Sequence, residues 1–455
     1  MRLQSRDLLP IGPRPGRTGP KRISPPGLLI EGFLILITLG TCLLKLPWAT
    51  TAPVTWLEAA FTATSAVTVT GLVVVDTGTQ FTLFGQLVIL ALIQLGGLGL
   101  MTFAVLTALA LGFKLGLSHH LAAQEAFNEI SLSTTKTAGA SIALFALVVE
   151  TIGVVVLACF FVPDKGWADG LYHALFYSVS AFNNAGFGLS ADSLSAYVSH
   201  AGVSLTITGL FIIGGMGYLV ARELFEKRRL TGLSVYTRLI LSATLIINLA
   251  AMALFLVLEY GNPATLGTLD SFGDKLLASW FQATVPRTAG FNTLDIGALT
   301  AGTSVLFLLL MFIGGAPNST ASGIKLSTFI VLMSATRAFL KGNLTATVGR
   351  NSLSTETVLK ALAVTTIAMA VIFLGVIGLS VVVKADFLDI AFEVVSAFGT
   401  VGLSRGITGD LGWAGQVIIM VVMVVGRVGP LTLGYMLTMR RKSLVRYAET
   451  EFPVG

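Results

Sequence analysis

The sequence predicts an all-α membrane protein in which four copies of one unit share the same topology. Charged residues make up only 11% of the chain, whereas 54% are hydrophobic and the mean hydropathy is +0.85. An ordinary soluble domain contains about 25% charged residues. Apolar segments long enough to cross a bilayer recur along the chain, and a short glycine-containing motif recurs four times. These observations exclude a soluble protein with a large core.

The recurring motif is clearest at residues 280–294, which read W-F-Q-A-T-V-P-R-T-A-G-F-N-T-L. An aromatic residue stands ten positions before each motif glycine, and a hydroxyl residue stands six positions before it. The glycines are Gly71, Gly186, Gly290 and Gly402, the aromatic residues are Phe61, Phe176, Trp280 and Phe392, and the hydroxyl residues are Ser65, Ser180, Thr284 and Ser396. The glycines are 115, 104 and 112 residues apart, so the chain holds four diverged repeats.

The first unit shows the order of elements. Residues 1–27 carry six basic residues and six prolines, a composition that predicts a disordered cytoplasmic arm. An apolar span follows at about 28–46. Thr55 and Glu58 then form a capping-box pattern that opens a helix of about 10 residues, too short to cross a bilayer. This half-helix ends at the glycine turn, and a second span follows.

The same order, span, half-helix, glycine turn and span, recurs in the other three units and gives eight spans and four half-helices. The predicted repeats are 28–113, 137–229, 238–342 and 357–441, followed by a C-terminal tail at 442–455. The predicted first spans are 28–46, 142–162, 239–258 and 361–383, and the predicted second spans are 84–111, 205–221, 304–339 and 416–439. All four units have the same orientation, so they are parallel repeats.

Basic residues lie mainly in the segments between the units and after the last span. They are Arg222, Lys227, Arg228, Arg229 and Arg238, then Arg337, Lys341, Arg350 and Lys360, then Arg440, Arg441, Lys442 and Arg446. The opposite loops carry few cations. The positive-inside rule therefore places both termini in the cytoplasm and the glycine turns near the outer face. The net charge of +6 is thus a topology signal, and no nucleic-acid partner is expected.

Four glycine turns inside a membrane require a physical reason, because unpaired backbone groups in lipid cost several kcal/mol each. Such turns are tolerated where they line a water-filled path, and rings of their carbonyl oxygens replace the hydration shell of an alkali cation. The turns therefore predict a pseudo-fourfold pore with a cation filter. The alternative is that glycine only permits close helix packing. The predicted filter residues are Val69, Thr70, Gly71, Asn184, Ala185, Gly186, Thr288, Ala289, Gly290, Thr400, Val401 and Gly402.

The second span of repeat 3 contains a polar, proline-containing segment that cannot form a regular helix. We interpret it as a broken helix whose loop crosses the pore below the filter and gates it. The alternative is a kink against a neighbouring helix. The predicted gate residues in this loop are Gly314, Gly315, Ala316, Pro317, Asn318, Ser319, Thr320, Ala321, Ser322, Gly323 and Lys325.

Arg427 lies in the middle of the last span, where a charged side chain costs at least about 3 kcal/mol. We interpret it as a gate residue under the filter that adds an electrostatic barrier and contacts the loop. The alternative is a structural ion pair with a buried acid such as Glu150.

No motif points to catalysis or to a bound metal cofactor. His119 and His120 fall in a polar loop, and His173 and His200 have no cysteine or carboxylate partners at metal-ligand spacing. The H-E-x-x-H motif, the phosphate-binding loop and the nucleophile elbow are all missing from the sequence. The sequence therefore predicts neither an enzyme nor an organic cofactor.

Three groups of motifs resemble the Ktr/Trk/HKT superfamily of potassium transporters across about residues 28–441. They are the turns T-V-T-G, N-N-A-G, R-T-A-G and G-T-V-G, the loop G-G-A-P-N-S-T-A-S-G-I-K, and G-R-V-G in the last span. Within the superfamily the KtrB-type subunits of bacterial Ktr systems are the closer match, because the extra helical hairpin of TrkH-type members does not precede repeat 1.

The resemblance implies a K⁺ channel-like fold and K⁺ uptake across the bacterial cell (inner) membrane, often stimulated by Na⁺. It also implies a homodimer with one pore per protomer, assembled on a cytosolic ring of KtrA-like subunits that bind nucleotides. The filter role falls on the four motif glycines, and the gate role falls on residues 314–325 and Arg427. A less selective Na⁺/K⁺ transporter, a secondary transporter with inverted repeats and a scaffold subunit without ion flux remain as alternatives.

Overall fold

The computed structural model describes residues 25–99, 134–227, 232–343, 345–349 and 351–429. Nearly all of the predicted N-terminal arm, the C-terminal tail and most of the first inter-repeat loop lie outside these ranges. The ends of the second spans of repeats 1 and 4 also lie outside them.

The described residues form helices in the order that the repeat pattern predicts. Repeat 1 contains α1 (Pro25–Leu44), α2 (Trp56–Thr68), α3 (Thr77–Gln80) and α4 (Leu83–Gly97). Repeat 2 contains α5 (Thr134–Lys165), α6 (Trp167–Phe182), a 3-10 helix (Ser195–Tyr197), α7 (Ala201–Met216) and α8 (Tyr218–Lys227). Repeat 3 contains α9 (Val235–Glu259), a 3-10 helix (Leu266–Thr268), α10 (Phe272–Thr284), α11 (Ala301–Phe312) and α12 (Leu326–Leu340). Repeat 4 contains α13 (Thr355–Val382), α14 (Phe387–Gly399), a 3-10 helix (Thr408–Asp410) and α15 (Trp413–Val428).

A small antiparallel hairpin joins repeats 3 and 4. Its strands are β1 (Thr347–Val348) and β2 (Asn351–Ser352), with Thr347 opposite Ser352.

Three described helices are long and apolar enough to cross a membrane without interruption. They are Gly139–Lys165, Val235–Glu259 and Thr355–Val382, the first spans of repeats 2, 3 and 4. Large apolar side chains such as Leu144, Ile152 and Leu374 are exposed on them, and an apolar surface of this extent fits a lipid environment. The second spans of repeats 2 and 3 are interrupted, and those of repeats 1 and 4 reach the limit of the described residues.

The prediction of one continuous second span at 205–221 in repeat 2 is wrong. Helix α7 ends at Met216, and α8 leaves it at an angle of 100°. Gly217 has a φ of 82° and lies against the Pro317 carbonyl oxygen, while the Tyr218 amide donates to the Asn318 carbonyl at 3.2 Å. The loop of repeat 3 therefore supplies hydrogen-bond partners for the backbone at the end of α7, where the helix breaks.

The four half-helices α2, α6, α10 and α14 are buried toward their C-terminal ends, and each has an acidic residue in its first turn. The predicted capping box is present on α2, where Thr55 Oγ1 accepts the Glu58 amide and Glu58 Oε2 accepts the Thr55 amide at 2.7 Å. Such a cap satisfies amides that have no partner within the helix. Phe61 and Phe392 in these helices are fully buried and belong to the core between repeats.

Glycines on the second spans allow these spans to approach the half-helices closely. A Cβ atom on Gly96, Gly214 or Gly426 would collide with the carbonyl oxygens of Val67, Phe182 and Phe398, respectively. Each of these carbonyl groups lies four residues before a motif glycine. The same close approach in three repeats fixes the end of each half-helix against its second span.

We expect Gly214→Ala to destabilise the protein, whereas Gly209→Ala, also on α7, should not. Gly214 has no room for a methyl group, whereas an added Cβ on Gly209 would have no neighbouring atom within 4 Å. Overpacking should destabilise the first variant by about 1–3 kcal/mol, and helix propensity should leave the second neutral or more stable by up to about 1 kcal/mol. Thermal unfolding of the purified protein in detergent measures both. A similar shift in the two variants would contradict this packing.

Candidate functional site

The four motif glycines form a closed ring in which each lies against the next repeat. A Cβ atom on Gly71 would lie 3.2 Å from Gly186 Cα, and one on Gly186 would lie 2.7 Å from Gly290 Cα. A Cβ on Gly290 would lie 3.5 Å from Gly402 Cα, and one on Gly402 would lie 3.0 Å from Gly71 Cα. The four repeats therefore follow their sequence order around one centre, and only glycine allows this spacing.

Equivalent carbonyl groups from the four repeats lie beside this ring. A Cβ on each glycine would contact the carbonyl oxygen of the residue that precedes the glycine of the next repeat in the ring. These oxygens belong to Thr70, Ala185, Ala289 and Val401. The ring is thus lined by backbone oxygens, which are ligands for dehydrated alkali cations.

The backbone of the four turns repeats one unusual conformation. The residue two positions before each glycine has a positive φ, and so does the glycine. The values are 57° for Val69, 60° for Asn184, 76° for Thr288 and 47° for Thr400, and 91°, 69°, 77° and 90° for the following glycines. A positive φ at a residue other than glycine costs of order 1–3 kcal/mol and persists where the surrounding structure enforces it, typically at functional sites. The predicted filter residues are therefore brought together in one strained, repeated geometry.

Three of the turns are fixed to their half-helices by the same hydrogen bond. The amides of Thr70, Ala185 and Val401 donate to the carbonyl groups of the hydroxyl residues five positions earlier, each at 2.8 Å. This is the pattern of a helix that ends in a left-handed residue. The partial negative ends of the half-helices consequently lie at the ring, where they favour a cation.

Repeat 3 reaches the ring by a different path. Helix α10 ends at Thr284, and the Ala289 amide donates to the Val285 carbonyl at 2.9 Å. Pro286 has no amide hydrogen and cannot continue a regular helix. The fourfold relation is therefore preserved in the backbone ring but not in the hydrogen bonds behind it.

A cavity of about 240 Å³ opens onto the ring and is lined by all four motif glycines. Asp76 and Asp295 also line it, and their carboxylates accept backbone amides of Thr79 at 2.9 Å and Gly297 at 2.8 Å. Negative charge at the mouth of a narrow path raises the local cation concentration.

Arg405, which was not predicted as a site residue, lines the same cavity three residues after Gly402. Its Nε pairs with Asp389 Oδ1 at 2.6 Å, and its Nη1 donates to Ser304 Oγ at 2.7 Å. The pairing offsets the arginine charge near the ring. A lone arginine three residues after a motif glycine was the available signal.

A second cavity, of about 230 Å³, lies next to the C-terminal end of half-helix α6, whose last residue, Phe182, lines it. The interrupted segment between α11 and α12 forms part of its wall. The lining residues from this segment and the last span are Asn318, Ser319, Thr320, Ala321, Ser322, Lys325, Arg427 and Val428. The loop and Arg427 are therefore neighbours in space, as the gate interpretation requires.

The loop is held by backbone hydrogen bonds to repeat 2 and by a contact with the filter. The amides of Ala316 and Thr320 donate to the carbonyl groups of Gly215 at 2.9 Å and Gly214 at 3.3 Å. Thr320 Oγ1 lies 2.9 Å from the side-chain amide of Asn184, a predicted filter residue. The loop is thus an ordered element packed across the end of α7, and a simple helix kink does not describe it.

Arg427 joins this loop to repeat 1. Its guanidinium donates to the Thr320 carbonyl, to Ser322 Oγ at 3.1 Å and to the Gly96 carbonyl at 2.6 Å. The alternative of an ion pair with Glu150 is wrong. Glu150 instead accepts hydrogen bonds from Gln94 at 3.1 Å and Asn183 at 3.0 Å.

Arg287, which stands in the R-T-A-G turn and was not predicted as a site residue, is a buried guanidinium. Its Nη1 donates to Asn248 Oδ1 at 3.0 Å, and its Nη2 donates to the Gly314 carbonyl at 3.4 Å. Gly314 begins the loop, so Arg287 links the filter turn of repeat 3 to it. A charged residue within a motif of small and hydroxyl residues was the signal that could have identified it.

Comparison with known proteins identifies the family. The family model described as TrkH, cation transport protein, matches residues 28–237 and 228–444. The chain belongs to this family. The Ktr system potassium uptake protein B of Bacillus subtilis (strain 168) is 48% identical over 95% of this chain and 97% of its own length. The Vibrio alginolyticus protein of the same name is 39% identical over 94% and 95%, and the potassium/sodium uptake protein NtpJ of Enterococcus hirae is 35% identical over 96% and 98%.

The family fold is also seen in a solved structure. The crystal structure of the potassium transporter TrkH from Vibrio parahaemolyticus matches with a TM-score of 0.70 at 21% identity, covering 93% of this chain and 87% of that one. The predicted resemblance and fold class are therefore confirmed. The protein is an all-α membrane protein with four parallel repeats around a pseudo-fourfold pore.

Proposed function

We propose that this protein takes up K⁺ across a bacterial cell membrane through the ring of four glycine turns. The observation that carries the proposal is the closed ring of equivalent backbone carbonyl groups, one turn from each repeat. The names of the curated relatives, which are potassium uptake proteins, support K⁺ as the transported ion. In this proposal the chain catalyses no reaction and holds no organic cofactor.

In this mechanism a cation enters the cavity beside Asp76 and Asp295 and loses water as it meets the ring. The carbonyl oxygens of the turns replace the lost hydration, and the negative ends of the half-helices stabilise the ion. The strained conformation of the turns fixes these oxygens before the ion arrives, so binding needs little reorganisation of the backbone.

A less selective K⁺/Na⁺ transporter is the second candidate, and a specific observation favours it. The four turns share their φ pattern, but repeat 3 lacks the hydrogen bond that fixes the other three. One relative is named a potassium/sodium uptake protein. An asymmetric ring would hold its oxygens at unequal distances and discriminate less sharply between the two ions.

Residues 314–325 and Arg427 form the gate in this proposal. The loop contacts the filter turn of repeat 2 through Thr320 and Asn184, and Arg427 holds the loop against repeat 1. Arg427 adds positive charge to the cavity of about 230 Å³ that the loop lines. This charge repels a cation leaving the filter. Opening then requires the loop to give up these hydrogen bonds.

The remaining assignments follow from the family and the charge pattern. We infer that the protein lies in the inner membrane with both termini in the cytoplasm, because the basic segments fall on that side. It acts as a homodimer with one pore per protomer on a cytosolic, KtrA-like ring that binds nucleotides, and Na⁺ stimulates uptake. The repeat boundaries given above are part of the same proposal.

The filter role predicts that Gly402→Ala lowers the ratio of K⁺ flux to Na⁺ flux by about tenfold. A Cβ there has no room beside Gly71, and a φ of 90° strains any L-residue, by roughly 1–2 kcal/mol. Isotope uptake into liposomes that contain purified protein measures the ratio. Gly412→Ala is the matched control, because no atom lies within 4 Å of its added Cβ. Equal K⁺ and Na⁺ fluxes in the wild type would support the less selective transporter, and no flux of either ion would refute transport.

The gate role predicts that Arg427→Ala raises basal K⁺ flux about tenfold when no cytosolic subunit is present. The variant loses the hydrogen bonds that hold the loop, each worth about 1.5–3 kcal/mol for a charged donor. The same liposome assay measures the flux. Arg337→Gln removes one positive charge from an exposed site on α12 and should leave it unchanged.

A shortened loop tests the same gate without changing any charge. Deletion of part of residues 316–322 should also raise flux. Wild-type flux in folded Arg427→Ala, or unchanged or lower flux in the folded deletion variant, would contradict the gate.

A further inference from the structure

Glu393 is a buried carboxylate inside half-helix α14, nine residues before Gly402. Its side chain is fully enclosed. Its Oε2 accepts a hydrogen bond from Ser404 Oγ at 2.7 Å, and its Oε1 accepts one from Thr408 Oγ1 at 2.5 Å. Both hydroxyl groups belong to the segment that follows the filter turn. Glu393 therefore connects the interior of the half-helix with the outer end of the filter.

No basic side chain pairs with Glu393 among the described residues. Arg405, the nearest arginine in sequence, pairs with Asp389. A charged group enclosed in a membrane protein is costly and usually has a function. A leucine in the same place would pack without that cost. The two hydroxyl contacts are thus the feature of Glu393 that an apolar residue cannot supply.

Two other repeats hold the segment after the filter from the half-helix as well, but with different side chains. In repeat 2, Tyr177 Oη accepts the Leu189 amide at 3.3 Å and donates to the Ser193 carbonyl at 3.4 Å. In repeat 3, Gln282 Oε1 accepts the Thr293 amide at 3.1 Å. The three side chains occupy the same depth of the half-helix, eight or nine residues before the filter glycine. We refer to Tyr177, Gln282 and Glu393 as the filter braces.

Among the residues of repeat 1 that the structure describes, no side chain forms a brace of this kind. Thr62, at the position equivalent to Glu393, has a buried hydroxyl group without a hydrogen-bond partner in the described structure. The segment after its filter turn is held instead from the second span, where Gln86 Nε2 donates to the carbonyl groups of Gly78 at 3.1 Å and Phe81 at 2.9 Å. A brace from the half-helix is therefore a property of individual repeats and not an automatic consequence of the fold.

We propose that Glu393 is a positioning residue that sets the ion selectivity of the filter, an inference that rests on the proposed transport of K⁺. The turn of repeat 4 is fixed at its start, where the Val401 amide donates to the Ser396 carbonyl at 2.8 Å. Glu393 fixes the same turn at its end, through Ser404 and Thr408. With both ends held by α14, the carbonyl groups between them cannot move toward a smaller ion or away from a larger one.

The test compares Glu393→Leu, Glu393→Gln and a matched control in liposomes, with the ratio of K⁺ to Na⁺ flux as the readout. Leucine removes both hydrogen bonds, so the ratio should fall about tenfold. Glutamine keeps an oxygen that accepts one hydroxyl hydrogen and an amide group that donates to the other hydroxyl. It should therefore keep the ratio within about threefold of wild type.

Glu259→Leu is the matched control. Glu259 is also fully buried and accepts hydroxyl hydrogen bonds, from Thr265 at 2.7 Å and Thr300 at 2.8 Å, but it lies at the end of α9 and does not contact a filter turn. Its replacement should lower the melting temperature and leave the flux ratio unchanged. This control separates loss of a buried carboxylate from loss of a filter brace.

If Glu393→Leu does not fold, Thr408→Val and Thr408→Ser provide the same comparison, because only serine keeps the hydroxyl group. The valine variant should lose selectivity, and the serine variant should keep it. A folded Glu393→Leu or Thr408→Val protein with the wild-type ratio would overturn the proposal, including one in which both fluxes fall equally. A wild-type protein without K⁺ flux would instead refute the proposed function.

Discussion

The structure depends on the requirement that backbone groups inside a membrane find partners. Each of the four turns leaves a half-helix in the middle of the protein, where unpaired amide and carbonyl groups cost several kcal/mol each. The turns meet this requirement together. Amides return to the half-helix ends, and carbonyl groups lie beside the glycine of the neighbouring repeat. The ring therefore exists only as a set of four, and its oxygen lining follows from how the turns pack.

The same requirement explains the contacts of three ionisable side chains, of which Arg287 and Glu393 are buried and Arg427 is half-buried. Arg427, Arg287 and Glu393 are satisfied by carbonyl, amide and hydroxyl groups, and none of them has an oppositely charged partner among the described residues. A buried ion pair would neutralise each charge. Neutral partners do not neutralise the side chain, and they hold it against a particular segment of the chain. Each of these side chains consequently joins two elements that meet at the filter or the loop.

The four repeats share the backbone conformation of their turns but differ in the contacts that hold these turns in place. All four turns share the alternation of φ, but the hydrogen bonds behind them, the filter braces and the breaks in the second spans differ between repeats. A single chain can change one repeat without changing the other three. Repeat 3 supplies the loop, repeats 1 and 2 receive it, and repeat 4 supplies the arginine that contacts it. In the proposed mechanism, conduction and gating are therefore divided among the repeats.

The sequence by itself determined the membrane class, the four repeats, the positions of the turns and the interrupted segment of repeat 3. These features are encoded locally, by composition, by the spacing to a glycine and by a proline among small polar residues. The tertiary structure alone decided the break at Gly217 and the hydrogen-bond partners of Arg427, Arg287 and Glu393. The break and the contacts of Arg427 join residues about a hundred or more positions apart, in the way that inter-helix contacts in membranes depend on which faces pack together. Even the contacts of Glu393 with Ser404 and Thr408 depend on how the filter turn that separates them from Glu393 folds. The spacing of these residues along the chain does not determine that fold.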